Sequence, residues 1–392
     1  MSYMAQRVTS FGTTIFDEMT ALANEHQAVN LGQGFPDFPA PGFLKQAAIE
    51  AIEADVNQYA PGHGRPRLRQ AIASKMARHY SLTVDPATEI TVTHGATEAI
   101  FATILGLVDA GDEVILFEPF YDSYVPAVQI AGGVPRFYTL RPPDWTIDRQ
   151  TLASLFSDKT KLIIINTPHN PTGKVFSRAD LALIAELCQA HDVVAMVDEV
   201  YEHLVFGGAT HHSLATFPGM VQRTVTISSL GKSFSVTGWK VGWAIATPSL
   251  NQAIFRAHQF MVYSGAAPLQ EAAAVALETD DSYYDELVAD YQARRDFLVD
   301  VLQEADLNPI IPQGTYFIMA DIGHLNFASD VAFCRYLTAE VGVAAIPPSA
   351  FYHNPADGRA LARFAFCKRK QTLEEAAKRL LKLRTMRPKN VS

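Results

Sequence analysis

Short runs of β-branched and apolar residues alternate with stretches of helical spacing through the middle of the chain. "EITVTHG", "DEVILFEP", "VPRFYTL", "KLIIINTP", "VVAMVDEV", "TVTISSL" and "VGWAIATP", between Glu89 and Pro248, read as strands, several of them apolar on both faces. Between them, "TEAIFATILGLVDAG" and "RADLALIAELCQAHD" set apolar residues at i, i+3 and i+4, the spacing of a helix with one buried stripe. This alternation predicts an α/β fold, a mostly parallel sheet covered by helices on both faces. In such a sheet ligands collect at the carboxyl ends of the strands, where loops converge.

Beyond about Asp280 the periodicity changes. A long helical run, "YYDELVADYQARRDFLVDVLQEAD", precedes a strand in "GTYFIMADI", a helix in "SDVAFCRYLTAEVG", and strands in "VAAIPPS" and "ARFAFCK", which reads as a smaller α+β unit. The opening segment, with its Gly- and Pro-rich "VNLGQGFPDFPAP", is too short to bury a core of its own. The expected organisation is an N-terminal arm and part of the small domain over residues 1–44, a large domain over 45–280 and a C-terminal small domain over 281–392.

With 392 residues, 48% hydrophobic and 19% charged, the composition is that of a soluble protein large enough for two domains. A formal net charge of -9 argues against nucleic acid as the main partner, since phosphate-backbone binding needs clustered cations. The basic segment from Lys368 to Lys389 interleaves its charges with Leu and Ala at helical spacing, as a solvated helix face does. Cys188, Cys334 and Cys367 lie far apart with no CxxC spacing, so neither a disulfide framework nor a zinc site is expected. The first residues lack a charged segment followed by an apolar run, and no stretch is apolar enough to span a bilayer. The expected compartment is the cytoplasm.

Candidate chemistry gathers at strand ends. Lys232 in "SSLGKSFSVTGWKVGW" follows a strand, where a lysine amine with a lowered pKa can form a Schiff base with a carbonyl. Ser229 stands three residues before it and Lys240 eight after it, a hydroxyl and a cation suited to a phosphate dianion. Gly95, Ala96 and Thr97 in "THGATEAIF" sit at a strand-to-helix junction, where backbone amides point at an anion. Asn170 in "NTPHNPTGKVF" and Asp198 and Tyr201 in "VDEVYEHL" follow two further strands. A carboxylate can keep a pyridine nitrogen protonated, and an amide and a phenol can bond a ring oxygen.

These segments, with "NLGQGFPDF", "NQYAPGHGRPRLR", "FEPFYDSY" and "RFAFCK", resemble the fold-type I, class I/II aminotransferases that use pyridoxal 5'-phosphate. The nearest branch holds kynurenine aminotransferase, glutamine transaminase K and bacterial methionine aminotransferase, and the resemblance runs from about Phe16 to Lys368. It implies a large domain with a mostly parallel sheet plus a smaller α+β domain. It implies that Lys232 forms the Schiff base and moves the substrate's α-proton, that Asp198 pairs with the pyridine nitrogen, and that Asn170 and Tyr201 bond the ring oxygen. Tyr121 would stack on the ring, and Gly95, Ala96, Thr97, Ser229 and Lys240 would surround the phosphate, with Tyr59 reaching it from a second subunit of a homodimer. Arg363 would grip the substrate α-carboxylate, facing Gly34, and Phe16 and Tyr263 would flank the substrate side chain.

An aromatic, largely apolar lining suits methionine and aromatic amino acids, and no second arginine is obviously placed for a dicarboxylate. The expected reaction moves an amino group from such an L-amino acid to a 2-oxo acid by a ping-pong route. One alternative keeps the cofactor and cleaves a C–S bond as a β-lyase. Another, a non-enzymatic regulator, would need an added DNA-binding domain, whereas the resemblance already begins at Phe16.

Overall fold

The computed structural model describes residues 3–9 and 11–386; the end of the basic segment, with Lys389, lies outside them. Each of the seven runs between Glu89 and Pro248 contains a strand of one sheet: β2 (Ile90–His94), β3 (Glu113–Glu118), β4 (Val134–Thr139), β5 (Thr160–Asn166), β6 (Val194–Asp198), β7 (Thr224–Ser229) and β8 (Val241–Ile245). A two-residue strand, β1 (Val29–Asn30), precedes them, and β9 (Asn308–Ile310), β10 (Phe317–Asp321), β11 (Val343–Ala344) and β12 (Leu361–Ala365) follow. The large sheet has the order β2-β8-β7-β6-β5-β3-β4. Its β4, β3, β5, β6 and β7 are mutually parallel, while β8 runs antiparallel to both β7 and β2.

Both faces of this sheet are dry, which is why its central strands are apolar throughout. Ile163 and Ile165 point to one face, where the helix Arg178–Ala190 covers them with Leu181, Ile184 and Cys188. Leu162 and Ile164 point to the other, under Ala99 and Ile100 of the helix Gly95–Leu107. Each such side chain, fully buried, contributes about 1.5–3 kcal/mol. The edge strand β4 is different: Val134 is exposed and Pro135 lies near its start, a residue that an edge tolerates because one side of it needs no ladder bond.

The C-terminal part builds a second core. β12, β10 and β9 form an antiparallel sheet packed under the long helix Ser282–Glu304 and the helix Lys370–Leu380. The opening segment joins that core through Met19 of the helix Ile15–Glu25, through Leu31, and through parallel pairing of β1 with β11. Two predicted elements are shortened. The strand in "VAAIPPS" pairs with β1 only over Val343–Ala344; Ile346 then bridges antiparallel to Arg363, and Pro347 and Pro348, with no amide to donate, end the extended run before a 3-10 turn. The strand in "GTYFIMADI" begins only at Phe317 because Thr315 adopts φ +67°, outside extended geometry. All three cysteines are free and buried, Cys188 against the large sheet and Cys334 and Cys367 in the C-terminal core. No helix among the described residues is long and apolar enough to cross a membrane.

Candidate active site

A cleft of about 200 Å³ opens at the carboxyl ends of the parallel strands. Antiparallel β8 brings its first residue, Val241, and the preceding Lys240 to the same edge. Gly95, Ala96, Thr97, Tyr121, Asn170, Asp198, Tyr201, Ser229, Lys232 and Lys240 all line it, so ten positions read from the sequence converge.

Two glycines make one end of this cleft. Gly95 holds φ +77°, and a Cβ there would stand 3.1 Å from Lys240 Cε. Gly242 of β8 lets the start of the helix Gly95–Leu107 approach, since a Cβ would lie 2.6 Å from the Ala96 amide nitrogen. The first-turn amides of that helix, the Thr97 and Ser229 hydroxyls and the Lys240 ammonium thereby form one donor-rich corner.

At the other end stands Asp198, paired in register with Asn166 and Ile227. Its Oδ2 accepts from the Tyr124 hydroxyl at 2.7 Å and its Oδ1 from the Val200 amide at 3.2 Å. Burial raises this carboxyl above its ordinary range, partly offset by those bonds and by the Lys232 charge, so it favours a cationic partner. Burial likewise pushes the Tyr201 phenol up, which keeps it a donor at neutral pH.

Lys232 lies between the two ends. Its Nζ donates to the Tyr316 hydroxyl at 3.2 Å and is 5.4 Å from the Tyr201 ring centre. Burial lowers the amine to about 8, and the charges of Lys240 and Arg363 push the same way against Cys367 and Asp198. An ordinary lysine is almost wholly protonated at neutral pH, whereas this one has an appreciable neutral fraction.

Five predicted positions lie off the lining. Arg363 is buried on β12, its Nη1 donating to Asn170 Oδ1 at 3.2 Å and its Nη2 to the Gly32 carbonyl at 2.9 Å. Its Nε is buried with no acceptor, so the guanidinium has donors to spare. Phe16, Phe317 and Phe351 ring it with centroids 5.1, 4.1 and 5.3 Å from Cζ. Gly34 accepts from Tyr316 at 2.5 Å, in a loop that Lys368 pins by donating to the Gln33 and Phe35 carbonyls. Tyr59 and Tyr263 stand together, edge to face at 5.7 Å and exposed, outside the cleft of their own chain.

Sequence reading passed over Asn166, Tyr124, Tyr316 and Thr237. Asn166 follows the apolar run Leu162–Ile165 at the end of β5, and its Oδ1 accepts from the Asn170 amide at 2.7 Å while its Nδ2 donates to the Asp198 carbonyl. A polar residue directly after that apolar run was a usable signal. Thr237 lines the cleft from the loop before Lys240, in "SVTGW".

The family Aminotransferase class I and II matches residues 26–380. The chain belongs to the class I and II aminotransferases, enzymes that use pyridoxal 5'-phosphate. It is 43% identical to the methionine aminotransferase of Escherichia coli, over 96% of this chain and 97% of that protein. It is equally 43% identical to a kynurenine–oxoglutarate transaminase of Dictyostelium discoideum, over 97% and 96% of the two chains. The solved structure of an N-succinyldiaminopimelate aminotransferase from Mycobacterium tuberculosis, 47% identical, superposes with a TM-score of 0.95 over 97% of this chain and all of that one. The aminotransferase fold is therefore of type I, an α/β large sheet with a second, smaller α+β core.

Proposed function

We propose that this aminotransferase moves the amino group of an apolar, sulfur-containing or aromatic L-amino acid, methionine foremost, to a 2-oxo acid by a ping-pong route. The observation that carries the reading is the Lys232 amine, lowered to about 8, between a donor-rich helix start and the buried carboxylate of Asp198. The residues fit pyridoxal phosphate: the corner of Ala96, Thr97, Ser229 and Lys240 suits its phosphate, Asp198 its ring nitrogen, and Tyr121 a ring face. When bound, the cofactor supplies an electron sink for the charge left on the substrate's α-carbon.

Each side chain has a separate task. Lys232 Nζ would take the substrate's α-proton and hold it for return, and its lowered pKa suits both directions. Because Asn170 Oδ1 is occupied by Arg363, its Nδ2 would be left to donate, with the Tyr201 phenol, to the ring oxygen of a bound cofactor. Arg363 offers its unused N–H groups to the α-carboxylate, and its burial strengthens that bond.

Two features support the apolar substrate. The rings of Phe16, Phe317 and Phe351 crowd Arg363, and among the described residues no arginine lines the cleft to receive a side-chain carboxylate. Relatives carrying the names methionine aminotransferase and kynurenine–oxoglutarate transaminase agree with it. The active unit is a homodimer, in which Tyr59 and Tyr263 of one copy complete the other's cleft; the exposure of both, and of neighbouring Phe260, supports this.

A panel of methionine, phenylalanine, kynurenine, glutamate and N-succinyldiaminopimelate, mixed singly with the holoenzyme, tests the reading through the absorbance change to the pyridoxamine form. Methionine should convert the cofactor fastest. Preference for glutamate or the succinylated substrate overturns the apolar pocket, and pyruvate release from a cysteine conjugate exceeding amino transfer would make the protein a lyase.

A further inference from the structure

Glu202, next to Tyr201 in sequence, is buried, and its carboxylate is a meeting point outside the cleft. Lys75 Nζ lies 2.5 Å from Oε2, with the two side chains only 2% and 4% exposed. The Tyr80 hydroxyl donates to the same oxygen at 2.5 Å, and Ser228 Oγ donates to Oε1 at 2.6 Å. Three distant segments thus meet on one group: the helix Pro66–Tyr80, the end of β7, and the turn after β6. Burial alone would raise the Glu202 carboxyl, but the Lys75 charge and the bond from Ser228 outweigh it and keep the group an anion. The other titratable neighbours are His203, stacked on Tyr284 at 3.8 Å and lowered to about 3 by burial, His79 beyond it, and the Glu199–His211 pair at 3.5 Å.

The two segments that Glu202 joins carry the reacting groups. Tyr201 is its immediate neighbour, while Ser228 directly precedes Ser229 and the short helix Leu230–Ser233 that bears Lys232. We infer that Glu202 is a positioning residue: by tying Ser228 to the turn of Tyr201, it fixes the Tyr201 phenol relative to the Lys232 amine. The bond acts through those neighbours and touches neither substrate nor cofactor. Displacements well under the size of an atom at such a pair change rates strongly. The inference rests on the proposed roles of Lys232 and Tyr201 beside pyridoxal phosphate.

Ser228→Ala cuts the tie while leaving the buried Lys75–Glu202 pair in place, and Lys75→Met/Glu202→Gln removes the charges together. A phenol that drifts from the cofactor's ring oxygen leaves that oxygen holding its proton to higher pH. In the holoenzyme, the pH midpoint of the bound cofactor's absorbance should therefore rise by about 0.5–1 unit in both variants. Turnover should fall by about ten- to a hundredfold with KM for the amino acid little changed. Ser228→Thr, which keeps the hydroxyl, should restore both. Leu187→Ala, a core variant on the helix Arg178–Ala190, should lower Tm without moving the midpoint. If Ser228→Ala and the double variant lower Tm as Leu187→Ala does and leave midpoint and turnover at the parent's values, Glu202 only stabilises the fold and the inference fails. If instead the parent shows no Lys232-dependent absorbance with pyridoxal phosphate, the roles assigned under the proposed function fail first.

Discussion

At the scale of single residues, Lys232 is tuned against stability. Its amine titrates near 8 in the folded chain and at the ordinary 10.5 when unfolded, so between those values the unfolded chain binds more protons. Stability therefore rises with pH across that window, and the cost of the charged amine is fully present below about 8. Lys232→Met should abolish transamination and yet stabilise the cofactor-free chain at pH 7 by about 1–3 kcal/mol, solvent screening included, with the gain vanishing above pH 10.5. Denaturant melts at both pH values check this; an equally stable or weaker variant at pH 7 refutes it. Arg363 and Phe16 separate binding from selection. Arg363→Ala removes a buried carboxylate partner and should lower kcat/KM for methionine, phenylalanine and alanine alike, by about 3–5 kcal/mol or a factor of hundreds to thousands. Phe16→Ala should lower the first two by about 1–3 kcal/mol and spare alanine. Equal loss on all three would remove Phe16 from the side-chain pocket. Lys232, Asp198 and Asn170 were legible because each stands at or within a few residues of the carboxyl end of a strand. Tyr124 and Tyr316 were not, because their partners, Asp198 and the Gly34 carbonyl, lie 74 and 282 residues away.

Elements fix where those residues stand. The helix Gly95–Leu107 can start close to β8 only because position 242 lacks a Cβ. Gly242→Ala puts a methyl against backbone, which cannot rotate aside as a side chain can. The helix start should then shift, weakening the Ala96 and Thr97 contacts and raising Kd for pyridoxal phosphate about tenfold or more, as loss of one charge-assisted hydrogen bond would. Titration of the apoenzyme with cofactor measures this, and an unchanged Kd means the phosphate binds elsewhere. The inner strands of the large sheet could be read because burial on both faces leaves an apolar run that no surface loop keeps, whereas the edge strand β4 is buried only in part. What local pattern could not convey was the reversal of β8, which follows from pairing rather than from its residues. Nor could it convey that the run after Ala344 changes partner, from β1 to a single bridge between Ile346 and Arg363.

For the whole molecule, one chain leaves Tyr59, Phe260 and Tyr263 in water. Tyr59→Ala should weaken cofactor binding in a homodimer, and sedimentation at assay concentration should find dimers; a fully active monomer would contradict the shared site. The cysteines carry a different consequence. Cys188 lies against the large sheet while Cys334 and Cys367 lie in the C-terminal core, and burial raises all three thiols, Cys188 to about 12 and Cys367 to about 11. A thiol reagent at neutral pH therefore meets none of them until the chain opens. Modification becomes a clock: Cys334 and Cys367 should be capped at one common rate and Cys188 at another if the cores breathe independently, and all three together if they part only in global unfolding.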